Sequence, residues 1–202
     1  MKKNRPLNEE KRKAILKAAI SEFYEKGFEG SSMDTISKEA NVSKATVYNH
    51  FKNKEELFIA ITEILKDRLY ESFKYTYNKD KPIEEQLYEM GKQELDFLID
   101  EENITLIKIA TIVMIQKNQI GLKVLETVKD DCMITVAQWF DDAKKDGKLD
   151  FESSSFVSRQ FIGMIKSFVL YQQFYGAPTL PKEEHENLLK QAVNMIKVLY
   201  KK

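Results

Sequence analysis

The sequence predicts an all-α chain: a short N-terminal three-helix unit containing a helix-turn-helix, followed by a longer helical bundle. Three observations predict it. Seven glycines and four prolines are few for 202 residues, and long stretches without either favour helices over a β-sandwich. Apolar residues recur at helical spacing through most of the chain. Near the N-terminus, two serine-capped helical segments follow each other with only a tight turn between them, the arrangement of a helix-turn-helix.

Residues 1–8 are a basic arm, in which Lys2, Lys3 and Arg5 suit a phosphate contact and a free solubilising tail equally well. The first helix is expected over 9–26, with Ile15, Ala18, Ala19 and Phe23 as its buried stripe and Gly27 supplying the turn that ends it. Lys11, Arg12 and Lys13 read as a solvated face. Ser31 and Ser32, with Asp34 behind them, signal a capped helix start with an acid in its first turn. Met33, Ile36, Ser37 and Ala40 then share one face of a helix over 33–40. Asn41 tolerates the left-handed conformation and breaks that helix, with Val42 tucking in behind it. Ser43 caps a helix over 44–50, from which Val47 and Phe51 point inward. Asn53, with Glu56 as its reciprocal cap, starts a long helix over 54–76. That helix links the first unit to the rest and is expected to act as the lever between them. After a turn at 77–82, helices are expected over 83–99, 103–117, 119–146, 152–175 and 182–200. Polar breaks at 100–103, Lys117-Asn118, 146–150 and 176–181 separate them. The division that follows is a first domain over 1–54 and a second over 55–202.

Function is legible in what the helix over 44–50 leaves outside. With Val47 and Phe51 buried, Lys44, Thr46, Tyr48, Asn49 and His50 remain. Each can donate a hydrogen bond, and none is acidic. Such a face suits a polyanion: Asn reads adenine, and Thr and Tyr can meet a thymine methyl. An ordinary solvated helix face is the plainer alternative. The tight turn and the flanking Lys38, Lys52 and Lys54 favour double-stranded DNA. Charge agrees once it is divided. The whole chain is neutral, but residues 1–54 carry twelve Lys and Arg against seven Asp and Glu, while the remainder carries twenty against twenty-five. The basic end is the one with the helix-turn-helix.

At these residues the chain resembles a known family. Residues 11–58, and above all VSKATVYNHF followed by NKEELF, are similar to the N-terminal domain of TetR-type (TetR/AcrR) transcriptional regulators. Residues from about 104 to 176 are similar to the AefR-like C-terminal half of some of them. Ala45 stands where the family commonly has glycine, and Asn49 where it has an aromatic residue or Arg. The resemblance implies a DNA-facing set of Ser32, Ser43, Lys44, Ala45, Thr46, Tyr48, Asn49, His50 and Lys54, the last on a backbone phosphate. It implies a homodimer built on the last two helices, with Phe156 and Tyr175 from one and Leu188, Leu189, Ala192 and Ile196 from the other. It also implies a small apolar or amphipathic effector held between helices. Candidates there are Phe97, Ile109, Met114 and Trp139, with Phe161, Ile165, Phe168 and Gln172 further on, although an apolar stripe at helical spacing is more often simply core. The expected function is a repressor released from a palindromic operator by its effector. A rival on the same fold is an architectural or cell-division factor whose second half binds a protein.

Other classes find little support. No run of eighteen apolar residues marks a membrane helix. The basic start lacks the apolar core of a signal peptide, so a cytoplasmic protein is expected. Cys132 is the sole cysteine, reads as a packed thiol, and excludes an intrachain disulfide. His50 and His185 are the only histidines, and no metalloprotease, nucleophile-elbow or phosphate-loop pattern occurs. Asp130, Asp131, Asp141, Asp142 and Asp146 fit a solvated helix face better than a calcium loop. Neither enzyme activity, nor a cofactor, nor a metal is expected.

Overall fold

The structure is a computed structural model. It describes residues 4–116, 119–127 and 131–201, apart from the side chains of 4–7, 127, 131 and 132. Lys2, Lys3, the Lys117-Asn118 break and Asp130 lie outside the described residues, as do the side chains of Arg5, Asp131 and Cys132.

Among the described residues the chain forms ten helices in the order α1 Asn4–Gly30, α2 Met33–Glu39, α3 Lys44–His50, α4 Lys54–Ser72, α5 Ile83–Ile99, α6 Glu101–Ile115, α7 Gln119–Thr127, α8 Asp131–Lys145, α9 Ser154–Phe174 and α10 Lys182–Tyr200. The expected punctuation is where the backbone needs it. Gly27 sits at φ 69° and ψ 172°, breaking α1 before a last turn, and Asn41 adopts φ 51° after α2. Asn53 Oδ1 accepts from Glu56 N at 2.7 Å, and Glu56 Oε2 accepts from Lys52 N at 3.0 Å, so the reciprocal cap forms one residue wider than expected.

One element ends earlier than expected. The helix expected over 54–76 stops at Ser72, because aromatic packing draws the following residues into an extended strap. Phe73 stacks on Tyr75 with ring centres 5.6 Å apart and lies 5.1 Å from the Phe97 ring. Gln86 then clamps the strap, accepting from Asn78 N and donating to the Asn78 and Lys81 carbonyls. Of the helix expected over 119–146, α7 and α8 are described, and 128–130 between them lie outside the described residues.

The chain packs as two compact units, residues 1–67 with 105–129, and residues 68–104 with 130–202. Residues 55–67 and 105–129 thus pack with the helix-turn-helix. The first unit is built on a cluster of Phe23, Phe28 and Phe58, whose ring centres lie 5.1–5.9 Å apart. Ile15, Ile36, Val47, Phe51, Leu57 and Ile61 are buried around it. In the second unit α9 packs on α5, α8 and α10. Gly91 lets these helices close: a Cβ there would lie 3.0 Å from Leu189 Cδ2 and 3.2 Å from Ile165 Cδ1. The buried Glu94 carboxylate is paired with Lys166 at 3.3 Å.

Candidate nucleic-acid interface

Two short helices acquire fixed geometry here through matching caps. Ser32 Oγ accepts from Thr35 N, and Ser43 Oγ accepts from Thr46 N, each at 3.1 Å. In each case the serine and threonine hydroxyls also meet, at 2.9 Å. The first cap is therefore Ser32 with Thr35, whereas Ser31 is buried and donates to the Phe28 carbonyl at 2.7 Å. Asn41 N donates to Lys38 O and Val42 N to Ser37 O, closing the turn between the helices. Val47 and Phe51 are buried, as are Met33, Ile36, Ser37 and Ala40 of α2. Their burial fixes which side of α3 faces outward.

On that side Lys44, Ala45, Tyr48 and Asn49 are exposed, and Thr46 and His50 half-buried; Tyr48 keeps 50 % of its surface. Ser32 and Ser43 are exposed beside them. Eight of the nine residues expected to face DNA therefore sit on α3, its cap or the cap of α2. Lys54 is different: its ammonium is taken up by the Phe28, Glu29 and Ser31 carbonyls.

Three participants were not evident in the sequence. Asp34 of α2 holds the Lys44 ammonium in an ion pair, so the acid-free face of α3 meets an acid from its neighbour. Arg12 lies over the Phe51 ring, 4.5 Å from its centre. It stands one turn before the buried Ile15, a spacing that could have flagged it. Burial, and then the charges of Arg12 and Lys11, hold the His50 imidazole below its ordinary pKa. Glu22, only 2 % exposed, accepts from Ser32 N at 3.3 Å and pairs with Lys26 at 2.8 Å. It pins the start of α2 from inside.

The residues expected to hold an effector divide between the two units. Ile109 and Met114 belong to the first unit and the others to the second. Phe97, Phe161 and Ile165 are sealed in the second unit's core, while Phe168 and Gln172 are exposed on α9. Trp139 lines an open groove of about 840 Å³, walled by the strap 74–81 and by Tyr88, Met90 and Gln93 of α5. Tyr77 meets Trp139 edge-on at 5.6 Å and donates to Asp146 Oδ2 at 2.6 Å; burial and then this bond raise the phenol's pKa, and the same bond lowers that of Asp146. Of the residues expected in a dimer interface, Phe156 and Tyr175 are exposed, Tyr175 at 87 %, while Leu188, Leu189, Ala192 and Ile196 are buried within their own chain. The outer surface of α9 and α10 instead shows Phe168, Tyr171, Phe174, Val198 and Leu199. Among the described residues no helix is long and apolar enough to cross a membrane.

Comparison with known proteins agrees with this geometry. Residues 15–61 match the bacterial regulatory proteins of the tetR family. Residues 85–202 match the C-terminal domain of AefR-like transcriptional repressors. A TetR family transcriptional regulator from Pseudomonas syringae pv. tomato is 31 % identical, with a TM-score of 0.79, over 100 % of this chain and 99 % of that one. AibR, solved with isovaleryl coenzyme A and operator DNA, shares the fold at 18 % identity and a TM-score of 0.66, over 92 % of this chain and 97 % of that one. The biofilm operon icaADBC negative transcriptional regulator IcaR of Staphylococcus epidermidis is 48 % identical over 44 residues, 22 % of this chain and 24 % of that protein. The chain spans less than about a third of the length of the first curated relatives it matches. With a helix-turn-helix at one end and a family match over more than half its length, the chain belongs to the TetR family of helix-turn-helix transcriptional regulators.

Proposed function

We propose that the protein is a homodimeric repressor whose α3 helices enter successive major grooves of a near-palindromic operator, and that a small apolar or amphipathic effector releases it. The observation that carries this reading is the exposed face of α3, where Lys44, Tyr48 and Asn49 stand clear on a helix fixed by the Ser43 cap and by buried Val47 and Phe51. In this division residues 1–54 read DNA, and residues 55–202 carry dimerisation and effector binding. Lys44 meets phosphate, trading Asp34 for the duplex, while Thr46, Tyr48, Asn49 and His50 approach base edges. Ser32, Ser43 and Ala45 meet the backbone at the helix starts.

Repression is supported by the AefR-like repressor match over 85–202 and by IcaR, a negative regulator. Dimerisation is supported by the apolar outer surface of α9 and α10, with Phe156, Phe168 and Tyr175 exposed on it. Two helices from each of two copies would bury it as a four-helix interface. An effector is supported by the Trp139 groove and by the coenzyme A thioester that AibR holds. It releases DNA only if it binds the two conformations with different affinity. The setting is the cytoplasm, where the operator is.

The test is equilibrium binding to labelled duplex from upstream of the gene, with competitor DNA, at two salt concentrations. Lys44→Ala should lower the slope of log affinity against log salt by about one unit. Tyr48→Ala should cost affinity for the operator without changing that slope. Two variants that bind like the wild type would move the reading surface off α3.

A further inference from the structure

The groove beside Trp139 lies on the outside of the second unit, and its walls divide by chemistry. The inner surface is apolar and mostly aromatic: Trp139, Met90 and Tyr75 are buried along it, and Tyr77 and Tyr88 half-buried. Aromatic faces and edges favour another ring in offset or edge-on contact, and a thioether adapts to a flat neighbour. The rim is polar and exposed. It carries Lys74, Lys79 and Lys81 against Asp80, Glu85 and Glu89, with Lys81 4.0 Å from Glu85. A rim so balanced offers neither an anion nor a cation a net attraction, and a charged ligand would still lose part of its hydration on entering.

The strap that forms the outer wall is tied down without filling the groove. Tyr77 donates to Asp146 at 2.6 Å, Lys148 donates to the Lys79 and Lys81 carbonyls, and Gln86 holds both backbone groups of Asn78. The open volume of about 840 Å³ falls within the range of small-molecule sites, about 300–1,000 Å³. The bundle interior is closed by contrast at Gly91, where even a Cβ would lie 3.0 Å from Leu189 Cδ2 and 3.2 Å from Ile165 Cδ1.

We infer that the groove between the strap 74–81 and α5 is a binding site for an uncharged, planar aromatic molecule, which lies against Tyr77, Tyr88 and Met90 on the outside of the bundle and not within it. As the seat of the effector it rests on the reading proposed above; as a binding site it is tested apart from that reading.

The test uses the full chain with coumarin, an uncharged planar aromatic, and coumarin-3-carboxylate, the same ring system with a negative charge. Trp139 is the sole tryptophan, so its fluorescence lifetime reports the groove directly. Coumarin should change that lifetime saturably, and the carboxylate should bind about tenfold more weakly. Tyr77→Leu and Tyr88→Leu, which keep bulk and remove a ring from the wall, should each weaken coumarin about fivefold. Tyr88→Leu carries the test alone if Tyr77→Leu does not fold. A lifetime that does not saturate up to the solubility limit would overturn the inference. So would equal affinity for the carboxylate, or coumarin binding unchanged in both variants. Operator affinity is measured with and without coumarin in parallel. Saturation of the groove with operator affinity unchanged would uphold the site and remove its part in releasing DNA. Release by coumarin that both variants retain in full would uphold the effector reading and overturn the groove as its seat.

Discussion

Phe51 is where the stability of the reading unit and its charge meet. Its ring is 1 % exposed, carries Arg12 over its face, and ends α3, the helix proposed to read DNA. Phe51→Ala removes a buried ring and leaves a cavity in a small core, at a cost of about 3–5 kcal/mol. Urea unfolding followed by a probe in the first unit should show it. His50 next door provides a pH signature. Burial, Arg12 and Lys11 hold its folded-state pKa below the ordinary value. The unfolded chain therefore takes up the proton first as pH falls. This contribution to stability is fully present above about pH 6.5 and is lost as pH falls through the depressed value. His50→Gln should show a smaller stability loss than the wild type between about pH 8 and about pH 5. An equal loss in both proteins would mean that His50 is not the group responsible. Part of this was legible beforehand: Phe51 facing inward follows from its spacing with Val47, but Arg12 read as solvated because its partner lies 39 positions away.

At the scale of elements, most helices were legible, including 83–99 and 182–200, whereas the end of α4 was not. Gly27, Asn41, Ser43 and Asn53 mark ends that local chemistry dictates, and the structure keeps them. Residues 73–76 continue a helical pattern, yet Phe73, Tyr75 and Phe97 pack better in an extended strap, a tertiary preference that periodicity does not carry. The same limit applies to binding residues. An apolar stripe shows that Phe161 and Ile165 face inward, but not whether a cavity or a neighbouring helix meets them. Gly91 allows α5, α9 and α10 to close over that stretch. Gly27 provides the sharpest test of an element end. Its φ of 69° with ψ of 172° belongs to a region that side chains other than glycine's avoid, so Gly27→Ala should destabilise the first unit by about 1–3 kcal/mol. Open space surrounds it, which makes the cost purely one of backbone strain. A thermal melt unchanged by Gly27→Ala would mean that the end of α1 relaxes freely.

The whole molecule is electrostatically divided although its net charge is zero. Residues 1–54 carry five more positive than negative charges, and the remainder five more negative than positive. On the proposed reading, the first segment attracts DNA and the remainder repels it. Pairing two copies through α9 and α10 would present two α3 helices together, and a pair of identical readers demands a near-palindromic site. Selection of bound duplexes from a random-sequence library, followed by sequencing, tests this central claim most directly. The account predicts enrichment of a near-palindrome with two half-sites one or more helical turns apart, lost when Lys44→Ala or Tyr48→Ala replaces the wild type. Enrichment of no sequence, or of the same sequence by wild type and both variants, would contradict it.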